Sequence, residues 1–72
     1  MFFDTISFAN GNNAVLNVLS SEGTNQVGKN LTISAGQGTG NGDGGSIIFQ
    51  TAPASVPGDS ANLLTTKLTI DT

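Results

Sequence analysis

A chain of 72 residues without cysteine or histidine has no disulfide and lacks the commonest metal ligands, the usual supports of a small fold. Its formal net charge is -3, and Lys29 and Lys67 are the basic residues, so it has no cationic patch for a nucleic-acid backbone or a membrane surface. A domain this short leaves much of its surface exposed when it folds alone, which makes oligomerisation the expected source of stability.

The N-terminus is apolar but short. Met1, Phe2 and Phe3 are followed at once by Asp4, with no positively charged region and no long apolar run. We therefore expect neither a signal peptide nor a transmembrane helix.

Strand-like runs recur along the chain, and each is bounded by turn residues. Apolar and polar residues alternate in most of them, as in a half-buried strand, and no helix start signal precedes a long amphipathic run. The predicted strands are Phe2–Phe8, Ala14–Leu19, Leu31–Ala35, Ser46–Thr51 and Lys67–Asp71. The sequence therefore predicts an all-β chain with strands of about 5 to 6 residues.

The segments between these runs predict turns and loops. Asn10–Asn13 is a strong turn signal, and the polar stretch from Ser20 to Asn30 is a surface connection. Pro53 and Pro57 each remove a backbone donor, so the segment that contains them is a loop or a sharp corner rather than an inner strand.

Ser46–Thr51 is the best candidate for a core strand. Ile47 and Phe49 share one face and Ile48 lies on the other, a pattern expected of a strand that is buried on both sides.

The connection from Gly36 to Gly45 contains six glycines in ten residues. Glycine reaches positive φ without steric cost but loses the most backbone entropy on folding. The run is therefore either a flexible loop or a set of tight turns held by neighbouring backbone.

Two glycine motifs match nucleotide-binding patterns by spacing. Gly23–Asn30 resembles a phosphate-binding loop, except that Asn30 stands where Ser or Thr should bind magnesium, and Gly40, Gly42 and Gly45 have the spacing of a dinucleotide fingerprint. Neither motif precedes a helix, which both functions require. We interpret both as chance matches.

The carboxylates predict no metal or catalytic centre. Asp43 lies in a stretch that resembles a calcium β-roll repeat, but one carboxylate is too few for a cation that takes 6 to 8 oxygen ligands. The five carboxylates lie in separate segments: Asp4, Glu22, Asp43, Asp59 and Asp71. Serine nucleophiles have no histidine partner. We predict a non-enzymatic protein with no catalytic, cofactor-binding or metal-binding residues and no cofactor.

A short motif occurs twice. Lys29–Ser34 and Lys67–Asp71 both contain a Leu-Thr-Ile sequence behind a lysine, which suggests a quasi-repeat of a strand followed or preceded by a long turn. The chain is thus divided into N-terminal strands, residues 1–27, and a repeat-like part, residues 28–72, within a single β-rich segment.

This repeat-like part resembles shaft segments of bacteriophage tail fibres and tail spikes. The resemblance rests on Gly28–Gly36, Gly44–Thr51 and Thr66–Asp71, and covers about residues 28 to 71. Members of this family alternate a "G-x-x-L-T-I-x-A-G" strand, a glycine-rich turn, a "G-G-x-I-x-[FL]" strand and a closing "L-T-I-D" strand. They usually continue into further repeats and a C-terminal tip, and residues 28–71 match the shaft rather than the receptor-binding tip.

The resemblance implies an intertwined homotrimer, a triangular β-helix or β-prism in which each face is built from strands of different chains. It implies a structural, virion-associated and extracellular protein that supports host attachment, with itself, other virion tail proteins and a host surface glycan as partners. Nucleic acid and membrane insertion are not expected. The predicted shared core comprises Leu31, Ile33, Ile47, Phe49, Leu68 and Ile70.

Two alternatives remain open from the sequence. One is a glycan-binding β-rod module that uses the polar loops Gln37–Asp43 or Ser55–Asn62. The other is a monomeric calcium-binding β-roll, which predicts calcium-dependent folding.

Overall fold

The computed structural model describes residues 2–72, so Met1, which begins the apolar N-terminus, lies outside it. Within that range the secondary structure consists of strand β1, Ile47–Thr51, and strand β2, Thr65–Ile70, which pair as a two-stranded antiparallel sheet. No helix in these residues could span a membrane. The all-β prediction is confirmed at this level, and both strands were predicted, with ends shifted by one or two residues.

Three predicted strands are wrong in residues 2–72: Phe2–Phe8, Ala14–Leu19 and Leu31–Ala35 do not belong to any strand. Their alternating sequences suit an extended backbone, but a strand also needs a partner that accepts and donates its ladder hydrogen bonds. Within one chain these segments have no such partner. The predicted turn at Asn10 is present at residues 10–12, and the segment with both prolines is a loop, as expected.

The sheet register contains one irregularity. Ile47 pairs with Ile70 and Phe49 with Leu68, but Gln50 pairs with Thr66, so Lys67 has no partner in β1. This extra residue is a β-bulge, which bends the bulged strand and increases its local twist.

The glycine run is a set of tight turns rather than a shapeless loop. The backbone N–H of Gly45 donates to the carbonyl of Gly36 at 2.9 Å, and that of Gly42 donates to Thr39 at 2.8 Å. In the inner turn Gly40 has a φ of 52° and Asn41 a negative φ, the sign pattern of a type II′ hairpin turn with glycine first. The segment 36–45 therefore folds back on itself directly before β1.

The chain divides into two compact units, Met1–Thr32 and Ile33–Thr72. The second unit contains the glycine turns and the sheet. In the first, the Ser21 hydroxyl donates to the Val27 carbonyl at 2.8 Å and closes a small loop. That loop turns at Gly23 and at Asn25, whose φ values are 104° and 56°. The boundary between the units cuts the predicted Leu31–Ala35 strand.

Residues 2–72 contain no buried side chain, hydrophobic or polar. Ile47 is half-buried, and the other large apolar side chains of both strands are exposed. The expectation that the β1 strand is buried on both sides is therefore wrong for a single chain.

Candidate interaction surface

One face of the two-stranded sheet consists of large apolar side chains. Side chains alternate between faces along each strand, and directly opposed residues share a face. The register opposes Ile47 to Ile70 and Phe49 to Leu68, so these four residues lie on the same side. We call this set the apolar face. It includes four of the six predicted core residues and confirms that Ile47 and Phe49 share a face.

The opposite side of the sheet is mostly polar, and we call it the polar face. The Ser46 hydroxyl donates to Oδ1 of Asp71 at 3.0 Å, just beyond one end of the ladder. Near the other end, Nε2 of Gln50 donates to the Thr66 hydroxyl at 3.3 Å. Between these two bonds, Ile48 opposes Thr69. Polar side chains on this face therefore bond to one another across the strands.

Asp71 is the charged member of the polar face. Its Oδ1 accepts the backbone N–H of Thr72 at 2.8 Å as well as the Ser46 hydroxyl. The backbone bond and, to a smaller extent, the serine bond favour the ionised form and hold the pKa of Asp71 below its ordinary value, although slight desolvation acts in the opposite direction. Asp71 thus fixes the end of β2 to the start of β1.

The connection between β1 and β2 curls around a hollow of about 240 Å³ that is lined by residues 55–63. The residues that line it include the polar Ser55, Asp59 and Asn62 and the apolar Val56 and Pro57. All of these residues are exposed. The hollow is thus an open, mixed polar and apolar surface formed by one continuous loop.

The two nucleotide-binding patterns have no helix after them. Gly23–Asn30 belongs partly to the turn that Ser21 closes, and residues 28–35 form no helix. In the second motif, Gly40 and Gly42 form the inner hairpin turn and Gly45 bonds to Gly36. These glycines therefore belong to turns of the chain itself.

The carboxylates are dispersed. In residues 2–72 no three Asp or Glu side chains approach closely enough to hold a metal ion. Asp43 lies in the glycine hairpin, where its carbonyl closely faces Gly38, and Asp59 lies at the hollow. The carboxylates of residues 2–72 therefore form no cluster of three.

Sequence reasoning missed three features of this surface: the Ser46–Asp71 bond, the bulge at Lys67 and the inner glycine turn. The turn had a usable signal, because Gly40-Asn41 is a typical two-residue hairpin sequence. The other two depend on the register of strands that are distant in sequence, which no local pattern specifies.

Comparison with known protein families, with curated proteins and with solved structures finds no match to this chain.

Proposed function

We propose that this chain is a structural, non-enzymatic segment of a phage tail fibre or related virion appendage, which assembles with copies of itself into a trimeric β-structured shaft that supports host attachment. The observation that carries the proposal is that residues 2–72 bury none of their large apolar side chains. The sequence resemblance over residues 28–71 supplies the class of protein.

The exposed surface supports assembly. Every large apolar side chain in residues 2–72 is exposed except Ile47, which is half-buried. A two-stranded sheet is at best marginally stable by itself in water. Full burial of a fully exposed large apolar side chain contributes about 1.5 to 3 kcal/mol. Phe49, Leu68 and Ile70 are about half exposed and Ile47 is half-buried, so burial of the surface that they still expose would contribute about 3 to 6 kcal/mol per chain.

The glycine turns support a shaft. Gly38 lies so close to the carbonyls of Gly42 and Asp43 that a side chain at this position would collide with backbone. Gly44 similarly lies against the Gly36 carbonyl, 3.0 Å from where a Cβ would be. Closely approaching backbones of this kind suit a narrow rod that is built from short strands and tight turns.

The test is the solution mass of the protein, measured by light scattering behind a sizing column, with and without a calcium chelator. We expect a mass of about three chains that the chelator leaves unchanged. A folded monomer would overturn the assembly proposal. Loss of β-structure in chelator would instead favour the calcium-binding β-roll.

Glycan binding is a second candidate function, favoured by the hollow at residues 55–63. Its lining combines residues with hydroxyl, amide and carboxylate side chains with the apolar Val56 and Pro57, the mixture of residue types that small-molecule sites use to orient a ligand. Binding on a glycan array that disappears in Asp59→Ala and Asn62→Ala, but persists in Gln37→Ala in the other polar loop, would support it. If the native protein binds no glycan on the array, this candidate function is wrong.

A further inference from the structure

We infer that Asn10 is a site of spontaneous deamidation, at which the side-chain amide is converted to a carboxylate, and that the same dipeptide at Asn41 is protected by the glycine hairpin. An asparagine followed by glycine occurs at two places in the sequence, Asn10-Gly11 and Asn41-Gly42. All four residues are exposed. Exposure therefore does not distinguish the two pairs, and the difference lies in the backbone of their turns.

Deamidation uses the backbone nitrogen that follows the asparagine. This nitrogen loses its proton to a base in the solvent and attacks Cγ of the side chain, so that an N–Cγ bond forms, the Cγ–Nδ2 bond breaks and ammonia leaves with a proton from water. Water then opens the resulting succinimide ring at either carbonyl, which gives aspartate or isoaspartate. Asparagine is thermolabile through this reaction, and a following glycine has no side chain to hinder the attack.

In the glycine hairpin the attacking nitrogen is already engaged. The backbone N–H of Gly42 donates to the carbonyl of Thr39 at 2.8 Å. Asn41 lies between Gly40 and Gly42 in the turn that this bond closes, so the bond restricts its backbone as well. The turn must open before the Gly42 nitrogen can lose its proton and approach Cγ of Asn41, and this local opening costs free energy.

The turn at residues 10–12 places no such restraint on the corresponding nitrogen. Within residues 2–72 the N–H of Gly11 makes no backbone hydrogen bond, and a Cβ on Gly11 would meet nothing within 4 Å. The nitrogen can therefore approach Cγ of Asn10 while the turn is intact. Each conversion adds one negative charge to a chain whose formal net charge is -3.

The test follows both asparagines in the native protein during several weeks in mildly alkaline buffer, by mass spectrometry of tryptic peptides. Cleavage after Lys29 and Lys67 places Asn10 and Asn41 in different peptides, residues 1–29 and 30–67, and fragmentation locates the converted residue. One hydrogen bond changes a local equilibrium about 2- to 12-fold. We therefore expect Asn10 to react about fivefold faster than Asn41.

Two controls assign this difference to the turns. In denaturant both turns are lost and the same dipeptide is present twice, so we expect the two rates to agree within about twofold. Gly11→Ala places a methyl group in free space, where it hinders the attack without disturbing the fold. This variant should slow the reaction at Asn10 and leave the rate at Asn41 unchanged.

The outcomes are separate from those of the self-assembly test. An Asn10 that reacts no faster than Asn41 in the native protein overturns the inference, and so does a rate difference that persists in denaturant, because it would then come from sequence alone. The reaction involves one chain and water, so neither result changes the solution mass that tests the proposed function.

Discussion

The same three residues, Leu-Thr-Ile, adopt two different states in this chain. Leu68–Ile70 belongs to β2 and opposes β1, whereas Leu31–Ile33 belongs to no strand. Burial does not distinguish them: Leu31 is 53% and Leu68 54% exposed, and Ile33 is 55% and Ile70 52% exposed. The difference lies in hydrogen-bonded pairing. A β-type sequence forms a strand in this chain only where another segment pairs with it.

The surroundings of the two motifs also differ. Leu68–Ile70 is followed by Asp71, whose bond to Ser46 fixes the end of β2 against the start of β1. Leu31–Ile33 is followed by the glycine hairpin, whose backbone bonds join residues of the hairpin to one another. Leu68–Ile70 is therefore followed by a bond to a neighbouring strand, which Leu31–Ile33 lacks.

Proline substitutions in the two Leu-Thr-Ile motifs should show the largest difference between them. Adjacent residues of an antiparallel strand direct their N–H groups to opposite sides, so one of Leu68→Pro and Thr69→Pro must remove a ladder donor. We expect that variant to lose the amide-exchange protection of β1 and β2. The matched changes Leu31→Pro and Thr32→Pro should leave this protection within twofold of the native value.

Equal losses from the two sets of proline variants would show that Leu31–Ile33 also forms a paired strand in the assembled protein. The predicted Leu31–Ala35 strand would then be a property of the assembly rather than of one chain.

A substitution in the glycine hairpin that follows Leu31–Ile33 should have a smaller effect on stability. A Cβ on Gly38 would overlap the Gly42 carbonyl and lie 2.6 Å from that of Asp43, so we expect Gly38→Ala to destabilise the hairpin by about 1 to 3 kcal/mol. The measurement is amide exchange at Gly42 and Gly45, whose bonds close the turns. Unchanged exchange at these two amides would contradict the close packing.

Gly36→Ala is the control for that substitution. Nothing lies within 4 Å of a Cβ at Gly36, and its φ is outside the left-handed region. Because alanine restricts the unfolded chain, we expect this change to stabilise the protein by about 0.4 to 1 kcal/mol.

The bond between Ser46 and Asp71 should make the stability of the sheet depend weakly on pH. Two hydrogen bonds lower the folded pKa of Asp71 below its ordinary value, so the stabilisation is present above the unfolded pKa and disappears as the pH falls through the folded pKa. An NMR titration of the Asp71 carboxyl should show that Ser46→Ala raises its pKa towards the ordinary value. Gln50→Ala, on the same face but away from Asp71, should leave that pKa unchanged.

The smallest expected effect concerns the other side-chain bond of the polar face. Gln50→Ala removes the 3.3 Å bond to Thr66, and cross-strand pairs of this kind contribute about 0.2 to 1 kcal/mol. Because the bond is exposed, we expect a loss at the lower end of that range. A double-mutant cycle with Thr66→Ala, at fixed protein concentration, should give a coupling energy below about 0.5 kcal/mol.

What the sequence could predict was limited to local signals. Alternation of apolar residues between turn signals located β1 and β2 and placed Ile47 and Phe49 on one face. Phe2–Phe8 has a similar alternation and is not a strand, because pairing depends on a partner that is distant in sequence. For the same reason the sequence could name six core candidates but could not say how the fold divides them. Leu31 and Ile33 lie outside the sheet, and the other four form the apolar face.

The bulge at Lys67 has a consequence for uncontrolled polymerisation. Exposed strand edges recruit further strands, and proteins limit this with charged residues and bulges at the edge. β2 has both, at Lys67, whereas β1, Ile47–Thr51, has neither a charge nor a proline. The two edges of the sheet therefore differ: the β2 edge is blunted against strand addition, whereas the β1 edge carries no such protection.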